Sequence, residues 1–220
     1  MELRKATIKS SPFVGVFAKA TGKFVLVPKQ LQKKEFAGLK DFFGVEIIKV
    51  NIANSSLIGI LSLANSHGVI LPGLAEENEL RQFEQAGIRA KRIHDINALG
   101  NLVALNDSRG IYSKSLSKET KKGIESFLKV ELKQMKIAGS DLVGAALVAT
   151  NRGFVVHARS EKKETEALEK FFGFRGKATT ANYGDAFVSH SIVANDNAAI
   201  IGLHTTLHEL LRIDEGLSGE

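Results

Sequence analysis

Apolar and polar positions in this chain recur in blocks with a period near 43 residues. Five short turns mark the period: Thr21-Gly22, His67-Gly68, Arg109-Gly110, Arg152-Gly153 and Asp196-Asn197, their second residues 46, 42, 43 and 44 apart. Before each turn stands an apolar run: Val14-Gly15-Val16-Phe17, Ile58-Gly59-Ile60-Leu61, Leu102 to Leu105, Val143 to Val148, and Ser191 to Ala194. After each comes another: Phe24 to Val27, Val69 to Leu71, Ile111-Tyr112, Phe154 to Val156, and Ala198 to Ile201. Two short apolar runs around a turn predict a β-hairpin. Gly or Asn in the turn suggests positive φ there, which these residues tolerate best.

A helical stretch follows each hairpin. Phe36, Leu39 and Phe43 share a face, as do Leu80 with Phe83, Ile124 with Phe127 and Leu128, Leu168 with Phe171 and Phe172, and Leu207 with Leu210 and Leu211. Thr206-x-x-Glu209 has the form of a capping box. Gly44, Gly87, Lys129 and Gly173 stand where the first four helices should stop and a further strand begin; three of the four are the Gly expected at a helix C′ position. The unit is therefore strand, strand, helix, strand. The fifth unit runs out after Gly216, too early for its last strand. Met1-Glu2-Leu3-Arg4 resembles the openings Val45-Glu46-Ile47-Ile48 and Val130-Glu131-Leu132-Lys133, so the N-terminal strand is expected to complete the fifth unit and close a ring without exposed edges. A helix in every unit and the lack of Trp argue against a WD propeller, and the hairpins argue against a helical solenoid. The expectation is a single α/β domain of units 9–56, 57–98, 99–139, 140–184, and 185–220 with 1–8.

Composition narrows the chemistry. Among 220 residues there is no Cys, which excludes disulfides, thiolate metal sites and a cysteine nucleophile. A net charge of +6 permits a polyanionic neighbour without defining a nucleic-acid binder. The charge is lopsided: residues 1–56 hold 10 basic and 4 acidic groups, residues 185–220 hold 1 and 6. No leader-like segment or membrane-length apolar stretch is seen, so a cytoplasmic protein is expected.

Several strings in fixed order resemble the translation initiation factor 6 family in its archaeal form. They are Asn97-Ala98-Leu99-Gly100-Asn101 with Leu105-Asn106-Asp107, then Val143-Gly144 before Thr150-Asn151-Arg152-Gly153. Asn182-Tyr183-Gly184, Ala194-Asn195-Asp196, and Gly202-Leu203-His204-Thr205-Thr206 before Glu209-Leu210 complete the set. Leu207 and the turn Ala20-Thr21-Gly22 depart from the family pattern. The resemblance implies a pentein, a pseudo-fivefold β/α propeller. It further implies a non-enzymatic factor that binds the large ribosomal subunit, its proteins and rRNA, at the joining face and keeps the small subunit away. It implies a monomer with no cofactor, no small-molecule substrate and no membrane. Guanidine-modifying enzymes share such a ring but act through a cysteine, which this chain lacks.

In a cyclic array the five turns should meet on one rim. Asn65, Ser66 and His67, then Asn106, Asp107, Ser108 and Arg109, Asn151 and Arg152, and Asn195 and Asp196 are the candidate docking residues there, with turn-making alone as the plainer role. His204 and His208 have i, i+4 spacing on the expected helix, but Thr205 stands where a zinc protease needs Glu; a capping or surface role is expected. His94, His157 and His190 are read as isolated strand residues. Gly173-Phe174-Arg175-Gly176-Lys177-Ala178 lacks the P-loop spacing and reads as a helix end entering a strand. Lys33-Lys34, Lys121-Lys122 and Lys162-Lys163 are expected on solvated helix faces, with a weak rRNA footprint as the alternative.

Overall fold

The computed structural model describes residues 1–219, and of Lys33 and Phe36 only the backbone. Five three-stranded sheets are arranged around one axis. In the second unit Leu63–Asn65 runs antiparallel to Gly68–Pro72, which pairs in parallel with Ala90–Ile93. The helix Glu77–Gln85 makes the crossover that parallel pairing requires. Units three and four repeat this with the helices Lys118–Leu128 and Lys162–Phe172. The ring closes as expected: Glu2–Ala6 pairs in parallel with Ala198–Gly202, Glu2 opposite Ala198. The Met1 amino group also meets Asp214 of the last helix, Leu207–Ser218, at 3.0 Å.

The hydrophobic cores lie between neighbouring units. Phe24, Leu26 and Ile52 of the first unit pack with Ile58, Leu71 and Phe83 of the second, and Ile200 and Val193 of the fifth pack with Val25 and Phe43 of the first. Each large side chain so buried contributes roughly 1.5–3 kcal/mol, and no unit can bury its face alone.

The apolar runs before the turns are not strands throughout. Val14–Phe17, Ile58–Leu61, Leu99–Leu102 and Val143–Ala146 are single α-turns, and Val188–Ser191 is a 3-10 turn; the hairpin strands begin only after them, as in Leu63–Asn65 and Val103–Leu105. Packing about the axis decides this. A β-carbon on Gly59 would run into the carbonyl oxygen of Gly15, one on Gly100 into that of Gly59, one on Gly144 into that of Gly100, and one on Gly15 into that of Ser189. Backbone thus stacks on backbone around the ring, and a compact helical turn brings each glycine to that contact.

Other expectations need correction. The first helix is broken into Lys33–Phe36 and Leu39–Phe43 by Gly38, whose φ is +74°. The last helix runs past Gly216 to Ser218 and stops at Gly219 in the left-handed region. Of the five hairpin turns only the second has positive φ, at Gly68; Gly110 and Gly153 are small because Leu105 and Gly216 crowd them. Left-handed residues gather instead at the opposite ends of the units: Lys9 and Ser10, Ala53 and Asn54, Ala138 and Gly139, Asn182 and Tyr183. Each of these bends is fastened to the crossover helix that follows it in the chain. Glu79 accepts from the Ala53 and Asn54 N–H groups at 2.8 and 3.0 Å, Glu164 from Ala138, Glu35 from Ser10, and Glu209 from Tyr183 and Gly184. The third unit inverts the arrangement: Asp95 on the bend accepts from the Thr120 hydroxyl at 2.7 Å and the Ser117 N–H at 3.2 Å.

Candidate functional site

All five hairpin turns reach the same end of the axis. Residues of each, among them Gly22, Asn65, Asn106, Asn151 and Asn195, border one depression of about 30 Å³. The nine predicted positions from Asn65 to Arg152 and the pair Asn195 and Asp196 are therefore on one rim, but their side chains divide into two sets.

Asn65, Asn106 and Asn195 are buried. Their carbonyl oxygens accept from the N–H two residues on, at His67, Ser108 and Asn197, and so make the turns. Their amide groups reach the next unit. Asn65 Nδ2 donates to the Asn106 and Leu128 carbonyls, Asn106 Nδ2 to Thr150, and Asn195 Nδ2 to Thr21 and Phe43. Thr150 takes the equivalent place in the fourth unit, its hydroxyl donating to the Leu217 carbonyl at 3.3 Å. Arg109 Nη1 donates to Phe172 at 3.0 Å. Leu128, Phe43, Phe172 and Leu217 lie in the last turns of their helices, whose carbonyls have no partner within the helix. These side chains therefore join the units.

Above them runs a second, outer network. Asp107 accepts from the Ser66 N–H at 2.7 Å and the Ser66 hydroxyl at 2.8 Å; Asn151 Nδ2 bridges Asp107 at 2.9 Å and Asp196 at 2.8 Å. Arg152 Nη1 rests on the Asp196 carbonyl at 3.2 Å. Ser108, Asn151 and Arg152 are exposed, and Ser66, His67, Asp107 and Asp196 are half-buried. The outer rim thus presents hydroxyl, amide, imidazole and guanidinium groups on turns held in place by hydrogen bonds. Replacing Asn106 by Ala is expected to cost about 1–3 kcal/mol, since the Thr150 carbonyl and the Ser108 N–H lose their partner. A urea midpoint equal to wild type would show that these bonds contribute nothing.

Beneath the rim the axis narrows to a cavity of about 60 Å³, among whose lining residues only Lys19 and Ser189 have polar side chains. Burial lowers the Lys19 ammonium to a pKa of about 8, and its Nζ lies 3.5 Å from the Gly59 carbonyl. His190 stands in the 3-10 turn rather than a strand, its Nε2 3.2 Å from Asn101 Oδ1, with burial lowering its pKa. His157 lies in the strand Phe154–His157; His94 follows a strand, and His204 precedes the last helix, so it does not share a helical face with His208. Among the described residues no group of three His, Asp or Glu could hold a metal ion, and no helix is long and apolar enough to cross a membrane. Lys33-Lys34, Lys121-Lys122 and Lys162-Lys163 fall in helices, and Gly173 ends one, as expected.

Sequence reading missed the far face. Phe13, Leu57 and Leu142 stand there in matching places, each just before a one-turn helix and 39–42% exposed. The 43-residue period could have found them.

Five β-β-α-β units closed around a narrow axis define the pentein class of β/α propeller. The chain belongs to the eIF-6 family, whose sequence model matches residues 3–216. Translation initiation factor 6 of Pyrococcus abyssi is 33% identical over 224 residues, 99% of each chain. That of Thermoplasma acidophilum is 35% identical over 217 residues, covering 98% of this chain and 100% of its own, and that of Methanosarcina acetivorans is 36% identical over 217 residues, 98% of each. A dimethylarginine dimethylaminohydrolase structure aligns with 94% of this chain and 73% of its own, at 13% identity and a TM-score of 0.48.

Proposed function

We propose that this chain is a translation initiation factor that binds the large ribosomal subunit through its turn rim and so blocks the small subunit, with no chemical turnover. The observation that carries this reading is family membership along nearly the whole chain. The rim supports it in two ways. Its turns are locked to one another, so docking orders few loops and avoids that entropic cost. Its exposed groups, Ser108, Asn151, Arg152 and the half-buried His67, suit a polar, hydrated interface of ordinary size, ~1,200–2,000 Å². Steric blocking needs bulk and a fixed docking face, both of which a closed ring provides. The absence of cysteine removes the nucleophile that a guanidine-modifying enzyme on this scaffold would use.

Arg152 is the rim residue to test, because its single hydrogen bond to the Asp196 carbonyl is exposed and its loss should change stability by less than ~1 kcal/mol. Arg152→Glu is expected to weaken co-sedimentation with large subunits at least about tenfold, as reversal of a central interface arginine does. Leu142→Ser, on the far face, should leave it unchanged. The opposite ranking would place docking on the far face, and failure of the wild-type protein to co-sediment would reject the reading altogether.

A further inference from the structure

A cleft of about 470 Å³ opens beside the rim, walled by the first and second units and closed by the helix end of the third. Lys23, His67, Arg89 and Lys129 line it, with one carboxylate, Glu46. Glu46 is already paired with Lys40. Lys23, Arg89 and Lys129 form no ion pair among the described residues, whereas Arg92, Lys121 and Lys177 are matched to Glu77, Glu125 and Glu215. Convergence of three unmatched cations raises a local positive potential that an anion would relieve.

Lys129 gives an independent reason to assign a ligand. It ends its helix with φ +56°, in the left-handed region, while the crossover helices of the other four units give way to Gly44, Gly87, Gly173 and Gly219. Glycine is the residue that takes this conformation without steric penalty. Two helix ends border the cleft, Gly87 and Lys129, and the second carries a long cationic side chain into it despite its left-handed backbone.

Aromatic surface adjoins the charge. The Arg89 guanidinium lies 4.7 Å from the centre of the Phe127 ring, and Phe127, Ile88 and Ala90 line a neighbouring hollow of about 370 Å³ with Glu84 at its border. A free phosphate would use the cations alone. Cations next to a planar stacking surface match a single-stranded nucleic acid, whose phosphates pair with Lys and Arg while its bases stack on rings and guanidinium planes.

We infer that this cleft holds a backbone phosphate of an RNA strand between Lys23, Arg89 and Lys129, with an adjacent base on the Arg89–Phe127 platform. The inference rests on the proposed docking of the rim to the large ribosomal subunit and specifies where that subunit's RNA is gripped. Two assays on the full chain test it: anisotropy with a fluorescein-labelled oligouridylate of about twelve nucleotides, and co-sedimentation with isolated large subunits. Arg89→Glu should weaken oligouridylate binding about tenfold and flatten the salt dependence by about one unit of log–log slope per lost phosphate contact. Lys129→Gly should weaken binding several-fold yet raise Tm by about 2–4 °C, a divergence that a purely structural role would not give. Lys162→Glu, a change of the same charge on an outer helix, should match wild type. Wild-type affinity and slope in both cleft variants would overturn the inference, as would equal competition by inorganic phosphate or polyglutamate, or no oligouridylate binding by the wild-type protein at roughly 50 mM salt. Oligouridylate binding without large-subunit co-sedimentation would reject the docking reading and leave the cleft assignment standing.

Discussion

Gly59→Ala is expected to destabilise the protein by more than ~4 kcal/mol, enough to leave much of it unfolded at physiological temperature. Ordinary overpacking costs ~1–3 kcal/mol because side chains can move aside. Here the obstacle is the Gly15 carbonyl oxygen, which is main chain. Shifting it would disturb the Gly15–Ser189 contact on one side, while movement of Gly59 would disturb Gly100 and then Gly144 on the other. The closed ring leaves no free end to absorb the displacement. Gly139→Ala is the matched control: its φ is +76° and nothing lies within 4 Å of the added methyl, so the cost should be only the ~1–2 kcal/mol of a left-handed alanine. Urea unfolding of the two variants checks the contrast. A Gly59 variant no less stable than the Gly139 variant would mean that the axial stack tolerates side chains, as it does at Ser189.

That axial stack also marks where the sequence could be read and where it could not. Repetition of hairpin, helix and strand showed in the turn spacing, and so did the missing last strand and its replacement from the N-terminus. Those features depend on local patterns, which one chain segment carries by itself. The runs Val14-Gly15-Val16-Phe17 and Ile58-Gly59-Ile60-Leu61 were a different case, since four apolar residues suit a buried strand or a helical turn equally. Their state is set by the neighbouring unit's backbone, which is distant in sequence. The rim repeats the lesson in side chains. Asn65, Asn106 and Asn195 were recognisable as turn residues, and the period placed them on one ring. That their amides reach the helix ends and turns of the next unit follows from how adjacent units lean together, about which a single sequence is silent. A residue chosen for docking by its polarity, Asn106, thus belongs to the inner joinery, whereas Arg152 and Ser108 beside it remain outward.

The inner joinery has a counterpart on the opposite face, and Glu209 is its most heavily used member. The carboxylate is buried yet accepts from the Thr180 hydroxyl at 2.6 Å, the Thr206 N–H and hydroxyl at 2.7 and 2.9 Å, and the Gly184 and Tyr183 N–H groups at 2.9 and 3.2 Å. It therefore caps its own helix and holds the left-handed bend at Asn182 and Tyr183. Burial alone would raise its pKa; the bonds from Thr180, Thr206 and Gly184 outweigh burial and hold it below the ordinary glutamate value. Glu209→Ala leaves several donors without an acceptor and is expected to cost roughly 3–5 kcal/mol. The pH dependence supplies a second signature. A carboxyl with a depressed folded-state pKa binds its proton more readily in the unfolded chain, so its stabilisation is fully present above the unfolded value of ~4.3 and is lost as pH falls through the folded one. Urea midpoints measured from about pH 7 down to pH 3 should accordingly fall more steeply for wild type than for Glu209→Gln, which has no proton to take up there. Parallel acid profiles for the two proteins would show that the Glu209 charge is not what fastens the bend.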